Sequence, residues 1–215
     1  MKFGDLACRR KLISSDLLKR FGPLLGAILL MLLVREVHAD YEDGLDAVFR
    51  GDYQTAYREF SAAAEEGLDL AQYNLAILYY MGNGVDQDME LAFKWTEAAA
   101  VQGHVDAQSN LGSLYLSGTG IDQNLSKGLE WLSLAGRGGH AGSSFSLANM
   151  YNDGEPTQRD EVLAHVWAAM AAAQEHPEAE TLLARIERGL SGQELQQARR
   201  LYARWQIEPM PTISP

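Results

Sequence analysis

Three histidines recur at a fixed spacing of 36 residues, at His104, His140 and His176. Imidazole is a common zinc ligand, so the first chemistry these residues suggest is metal binding. Equivalent residues of neighbouring helical repeats are separated by at least a helix diameter, on the order of 10 Å for each packed helix. Zinc–nitrogen bonds are about 2 Å long, so the three imidazoles cannot converge on one ion. We interpret them as loop or packing residues.

Glu161 and His165 are the one local pair with ligand geometry, because a step of four residues places both on one face of a helix. Two ligands without a third nearby do not make a metal site. For nucleophilic catalysis the chain offers a single cysteine, Cys8, which precedes an N-terminal apolar run, and no G-x-S-x-G elbow. The sequence therefore predicts no metal, no cofactor and no catalytic residue, and we expect a protein that is not an enzyme.

Glycine pairs and tryptophans also suggest ligand chemistry. Gly82-Asn83-Gly84 and Gly118-Thr119-Gly120 each contain G-x-G, but a dinucleotide fingerprint needs a preceding strand and a third glycine. We interpret both as turns between helices. Trp95, Trp131 and Trp167 could form a ligand cage, but their repeat spacing favours packing at equivalent helix interfaces.

The elements that position these residues follow from an internal repeat. Five positions recur at steps of 36 residues, a period in the range of helical-repeat solenoids. They are Leu75, Leu111 and Leu147; Tyr79, Tyr115 and Tyr151; Gly82, Gly118 and Gly154; Trp95, Trp131 and Trp167; and Gly67, Gly103 and Gly139.

Each unit is predicted to consist of two helices. Apolar residues at steps of three and four predict the first helix, with the stripe Ala71, Leu75, Leu78 and Tyr79. Gly82 ends that helix, Asp86 is the predicted N-cap of the second, and Gly103 is placed where a helix C-cap favours glycine. Neither helix can bury its stripe alone, so neighbouring units must stack.

The pattern A-x-x-x-L-[GA]-x-[LM]-Y-x-x-G-x-G, followed by [AG]-x-x-W-x-x-x-A and Gly, resembles the Sel-one-like repeat, a relative of the tetratricopeptide repeat. The resemblance covers about residues 40–175 and implies an all-α fold, an α/α superhelical solenoid that serves as a protein-binding scaffold. The third unit departs from the pattern, since Pro156 replaces the second turn glycine and Glu175 the closing glycine. Gly136 is expected to loosen the second helix of its unit.

The predicted organisation ends in a capping helix. Ser191 and Glu194 form a capping box, and a polar outer face suits the end of a solenoid. Upstream of it, a degenerate first helix is outlined by Ala179, Leu183, Ala184 and Ile186. The predicted segments are a signal peptide at 1–39, a short first unit at 40–68, full units at 69–104, 105–140 and 141–176, a degenerate repeat with the capping helix at 177–206, and a flexible tail at 207–215.

The N-terminal 39 residues have the pattern of a secretory signal peptide. Six basic side chains within residues 1–20 precede an apolar run from Phe21 to Val34, and Val37-His38-Ala39 provides a small-residue cleavage site. The run is short for a membrane span, which needs about 20 apolar residues. We expect export to the periplasm or the extracellular space, with a membrane-anchored protein carrying an uncleaved segment as the alternative.

Charge narrows the class of partner. The formal net charge is -11, and cleavage after Ala39 would leave 11 basic against 26 acidic residues, a net charge of -15. This balance argues against nucleic acid or anionic lipid as the main partner. We expect a scaffold that binds a protein or peptide; the alternative is a structural envelope component that recognises a cell-wall glycan or glycopeptide.

The resemblance to tetratricopeptide stacks also implies a binding surface. In such stacks the first helix of each unit lines the concave face, and positions off the packing stripe contact the ligand. The corresponding residues are Tyr41, Leu45, Val48, Tyr73, Ile77, Tyr80, Ser109, Ser113, Leu116, Phe145, Asn149 and Asn152. The groove is thus predicted to be apolar and aromatic at its N-terminal end and polar toward its C-terminal end. The alternative is that Tyr73 and Tyr80 pack against the preceding unit.

Overall fold

A computed structural model describes His38 and residues 40–208, and all regular secondary structure in these residues is α-helical. The predicted signal peptide, apart from His38, and residues 209–215 of the predicted tail lie outside this part. The predicted all-α fold class is confirmed. The helices are α1 (40–49), α2 (Tyr53–Glu65), α3 (Asp69–Met81), α4 (Met89–Val101), α5 (Val105–Ser117), α6 (Leu125–Arg137), α7 (Ala141–Asp153), α8 (Glu161–Ala173), α9 (Ala179–Glu187) and α10 (Gly192–Ile207).

The helices stack in chain order as antiparallel neighbours. From α2 to α9 each helix packs on the next, and α10 returns to pack on α8. The repeat leucines Leu75, Leu111 and Leu147 are buried in the core, as their spacing predicts. The first helices of the three full units, α3, α5 and α7, therefore each pack between two second helices, which is how a solenoid forms a continuous core.

The G-x-G segments are turns between helices, as predicted. Gly84 and Gly120 both have φ of +72°, a left-handed conformation that favours glycine. A Cβ atom at Gly84 would overlap the carbonyl oxygen of Tyr53, and one at Gly120 that of Met89. Each turn thus rests directly on the start of the preceding unit's second helix, leaving no room for a side chain.

The predicted N-cap of the second helix is wrong by two residues. Asp88, not Asp86, caps α4, because its carboxylate accepts a hydrogen bond from the Leu91 N–H at 2.9 Å. Asp86 stays exposed within the turn. Asn124 and Asp160 make the same cap on α6 and α8, so the capping position is a repeat feature.

The departures of the third unit leave the fold intact. Glu175 takes the place of the closing glycine and adopts the left-handed conformation itself, with φ of 60°.

The expectation that Gly136 loosens its helix is wrong, since α6 continues through it to Arg137. Gly136 is buried, and a Cβ there would lie 2.8 Å from Ser144 Oγ and 3.0 Å from the Trp167 ring. The glycine therefore makes room for its neighbours.

The C-terminal helices close the stack. The Ser191–Glu194 capping box is present at the start of α10, as predicted. The buried residues of α9 include Leu182, whereas Ala184 is exposed, which corrects the predicted stripe. On α10, Trp205 contacts Trp167 edge to face, with ring centroids 5.0 Å apart.

Candidate binding face

The first helices α1, α3, α5 and α7 turn one side toward the core and the other side away from it. On α3 the buried residues include Leu75, Leu78 and Tyr79, so the opposite side is the accessible one. We call the accessible sides of these four helices the first-helix face. Of the twelve side chains predicted to line it, Tyr80 and Ser113 are exposed and the other ten are half-buried.

Side-chain hydrogen bonds link the first helices of neighbouring units across this face. Asn74 Nδ2 donates to the Tyr41 hydroxyl at 3.4 Å, and Ser143 Oγ donates to Ser109 Oγ at 2.8 Å. Tyr41 and Ser109 thus help to hold adjacent units together, in addition to lying on the face.

The repeated histidines contribute to the same face by stacking and capping. The His104 ring stacks on Tyr73 with centroids 4.5 Å apart, and the His176 ring stacks on Phe145 at 4.1 Å. Nδ1 of His104 and of His140 accepts a backbone N–H at the start of α5 and α7. The interpretation of these histidines as loop or packing residues is confirmed.

Phe49 at the end of α1 is 96% exposed, and α3 carries three further exposed apolar or aromatic side chains. Tyr80 is 43% exposed, and two residues not predicted for the face, Leu70 and Met81, are 40% and 60% exposed. Their helical positions are the signal that could have identified them, because Leu70 and Met81 flank Ile77 on the accessible side of α3. Tyr73 is the exception, because His104 covers one side of its ring.

Five of the other predicted face residues also pack against the hydrophobic core. Three residues of α1 pack against the core cluster around Leu75, namely Tyr41, Leu45 and Val48. Leu116 and Phe145 pack against the core cluster around Trp167. These five side chains therefore contribute to stability as well as to the surface.

Toward the C-terminal end the face is polar, as the sequence predicts. The Asn149 side-chain amide donates to the Phe145 carbonyl oxygen at 3.1 Å, and that of Asn152 donates to the Asp153 carboxylate at 2.7 Å. Ser113 Oγ donates to the carbonyl oxygen of Ser109 at 3.1 Å. These bonds are local, so the side chains keep acceptor capacity toward an incoming ligand.

Burial and a nearby charge set the protonation of Tyr73. Desolvation raises the pKa of its phenol, and the Asp106 carboxylate raises that pKa further, while a hydrogen bond with Asn110 lowers it in part. The phenol therefore keeps its proton to a higher pH than a tyrosine in solution does. At the centre of the face it offers a hydroxyl and a ring edge beside a carboxylate.

No cluster in the described residues has the composition of a metal centre, since no group of three or more His, Cys, Asp or Glu could hold an ion there. Glu161 is paired with Arg159 at 2.6 Å, and His165 Nε2 lies 3.0 Å from Glu187 Oε1. The two side chains of the predicted local pair therefore have different partners. No helix within residues 40–208 is long and apolar enough to cross a membrane.

Comparison with known families assigns the repeat. The sequence profile of the Sel1 repeat matches residues 39–68, 69–104, 105–140 and 142–176. The chain belongs to the Sel1 repeat family. Proteins with this repeat generally act as scaffolds for protein interaction. No curated protein matches the chain significantly over its sequence.

Two solved structures share the solenoid. A Sel1 repeat protein from Oxalobacter formigenes is 27% identical with a TM-score of 0.66, over 79% of this chain. A protective antigen of uropathogenic Escherichia coli strains, which displays an SLR fold, is 30% identical with a TM-score of 0.67, over 82% of this chain. The matched region is only 54% of the first protein and 41% of the second.

Proposed function

We propose that this Sel1 repeat protein is an exported scaffold without enzymatic activity that binds a protein or peptide partner through the first-helix face. The observation that carries the proposal is the accessible apolar surface of α3, where Leu70, Tyr80 and Met81 project beside the polar positions of α5 and α7. Aromatic residues at the centre of an interface provide much of its binding energy, and a groove of this kind suits an extended or helical peptide.

Capture from an envelope extract tests the proposal. Replacement of Tyr80 and Met81 by serine removes two exposed side chains, so the fold should survive by circular dichroism. The affinity for the captured, purified partner should fall by about 2 kcal/mol or more, the loss expected of an interface hot spot. Val101→Ser is the matched control, because Val101 is 52% exposed at the end of a second helix.

Two results would contradict the proposal. Equal losses of affinity in the Tyr80/Met81 variant and in the Val101 control would show that the first-helix face is not the binding surface. If the protein is retained on purified cell-wall sacculi, and if protease treatment of the extract does not abolish capture, the ligand is a glycan and not a protein.

Export rests on the N-terminal sequence pattern and needs its own test. The proposal places the mature N-terminus at Asp40, after the Val37-His38-Ala39 site. The intact mass of the protein from the envelope fraction should equal that of residues 40–215. A mass that retains residues 1–39 would indicate a membrane-anchored protein.

A further inference from the structure

The charged side chains of the first helices are all of one sign. Helices α1, α3, α5 and α7, within the bounds the structure gives them, contain no lysine or arginine. They contain seven acidic residues, spread over all four helices, which are Asp40, Glu42, Asp43, Asp46, Asp69, Asp106 and Asp153. The Asp106 side chain is 57% exposed in the first turn of α5, 3.8 Å from the His140 ring nitrogen.

The lysines and arginines of the repeats lie in the second helices and in the loops, where most have partners. Lys94 lies over the Trp95 ring at 5.8 Å, Lys127 over the Tyr115 ring at 5.1 Å, and Arg58 is paired with Glu59 at 2.7 Å. Arg159 is paired with Glu161, as described above. Within the described residues, the first helices therefore carry carboxylates and no lysine or arginine.

We propose that the ligand of the first-helix face is a cationic peptide segment, in which lysine or arginine side chains flank an apolar anchor residue. The inference rests on the proposed function and specifies the partner of the same surface. The anchor packs on the exposed apolar side of α3, which has Leu70 in its first turn and Tyr80 and Met81 in its last, and the cationic side chains pair with the carboxylates of Asp69 and Asp106. Charge-assisted hydrogen bonds of this kind are short and strong, and complementary charge favours the correct partner over an acidic one.

A pair of synthetic peptides tests the charge preference. One fluorescein-labelled peptide of about a dozen residues carries a Trp-Leu anchor flanked by lysines, and its counterpart carries glutamates in place of the lysines. Fluorescence anisotropy at about 20 mM salt, where the Debye length is some 20 Å, should show at least tenfold tighter binding of the lysine peptide. The preference should fall to about twofold in about 500 mM salt, because screening removes the charge term and leaves the anchor.

Matched variants locate the effect on the surface. Asp69→Asn combined with Asp106→Asn should weaken binding of the lysine peptide about tenfold at low salt. Asp122→Asn combined with Glu130→Gln removes the same charge from exposed residues outside the first helices, and should change binding less than twofold.

Equal losses in the two double variants would overturn the proposal, because they would reflect the net charge of the molecule and not this face. An absent or inverted preference between the peptides, including no binding of either at millimolar concentration, would overturn it too. The envelope capture uses no synthetic peptide. A partner whose capture depends on Tyr80 and Met81 but not on salt would therefore refute the cationic ligand and leave the proposed function standing.

Discussion

The three repeat tryptophans occupy equivalent positions with different degrees of burial. Trp131 and Trp167 are buried, and Trp95 is half-buried against the core cluster around Leu75. Packing, not a ligand cage, is therefore confirmed as their role. The Trp167 ring is accommodated by Gly136, whose equivalents in the two preceding units are alanines.

Replacing Gly136 by alanine should destabilise the protein even though alanine is the better helix former. Its helix propensity favours alanine by about 1 kcal/mol, but the added methyl group must displace Ser144 Oγ or the Trp167 ring. Overpacking of this kind costs about 1–3 kcal/mol, so we expect a net loss in urea denaturation. Gly192→Ala, where a Cβ would meet nothing within 4 Å, is the control and should show no loss. A more stable Gly136→Ala variant would contradict the packing account.

Tyr79 makes the molecule sensitive to alkaline pH. Its hydroxyl lies 3.0 Å from that of Tyr57, and burial, followed by the contact with Tyr57, raises the pKa of Tyr79 well above its usual value of 10.0. Burial also raises the pKa of Tyr73 and Tyr151. The folded state therefore retains these phenolic protons at pH values where the unfolded chain releases them.

The sign of the pH dependence follows from that difference. The stabilisation is complete below pH 10 and decreases as pH rises from there toward the folded-state pKa values. The free energy of unfolding should thus fall above pH 10, and Tyr79→Phe should reduce the steepness of that fall. At pH 8 the variant should lose only about 1 kcal/mol, the typical contribution of one hydrogen bond. If the free energy of unfolding falls equally steeply above pH 10 in the wild type and in the variant, the assignment to Tyr79 is refuted.

At the scale of the helices, the sequence predicts which side of a helix is buried better than it predicts the residue at which the helix begins. The steps of three and four between Ala71, Leu75 and Leu78 predict the buried side of α3 correctly, because burial and helical period determine it together. The end of the turn is less predictable, since Asp86 and Asp88 are equally good N-cap residues by type. The path of the turn decides which of the two is the N-cap, because it brings the carboxylate of Asp88 to the Leu91 N–H. The capping by His104 and His140 gave no signal, as histidine is not a favoured N-cap residue.

Two alanine variants test the corrected cap. Asp88→Ala should cost about 1 kcal/mol in the free energy of unfolding, because the Leu91 N–H loses its acceptor. Asp86→Ala should change stability by less than about 0.5 kcal/mol, as expected of an exposed residue without such a role. Chemical denaturation of both variants provides the measurement, and a reversed order would restore Asp86 as the cap.

At the scale of the whole molecule, α10 protects the end of the stack. Its Ala198 is fully buried, and Leu201, Tyr202 and Trp205 pack against the core cluster around Trp167. Arg137 extends from α6 to the end of this helix, where it donates to the carbonyl oxygen of Glu208 at 3.1 Å. A solenoid needs such a terminal element, because its last unit would otherwise expose an apolar face.

Truncation after Leu190 tests that role. Removal of residues 191–215 should expose Trp167 and its neighbours, lower the melting temperature by several degrees and reduce solubility. Differential scanning calorimetry and the soluble fraction after expression report the two effects. A truncated protein with unchanged melting temperature and solubility would show that α8 and α9 close the stack alone.

The accessible positions of the first-helix face were also predictable from the helical period, because none of the twelve residues is fully buried. Their interactions were not, since the stacking of His104 on Tyr73 depends on how successive units meet. That contact divides the predicted pair of tyrosines: Tyr73 is partly structural, whereas Tyr80 is available to a ligand. The negative charge of the face was not predicted, because only the helix bounds show which charged residues belong to the first helices and which to the second helices.

Hydrogen–deuterium exchange of the protein with its captured partner tests the central claim most directly. If the first-helix face is the binding surface, the amides of α3, α5 and α7 should gain protection in the complex, while those of α2, α4 and α6 keep their exchange rates. Protection confined to the second helices, or to α10, would contradict the account and place the binding surface elsewhere on the molecule.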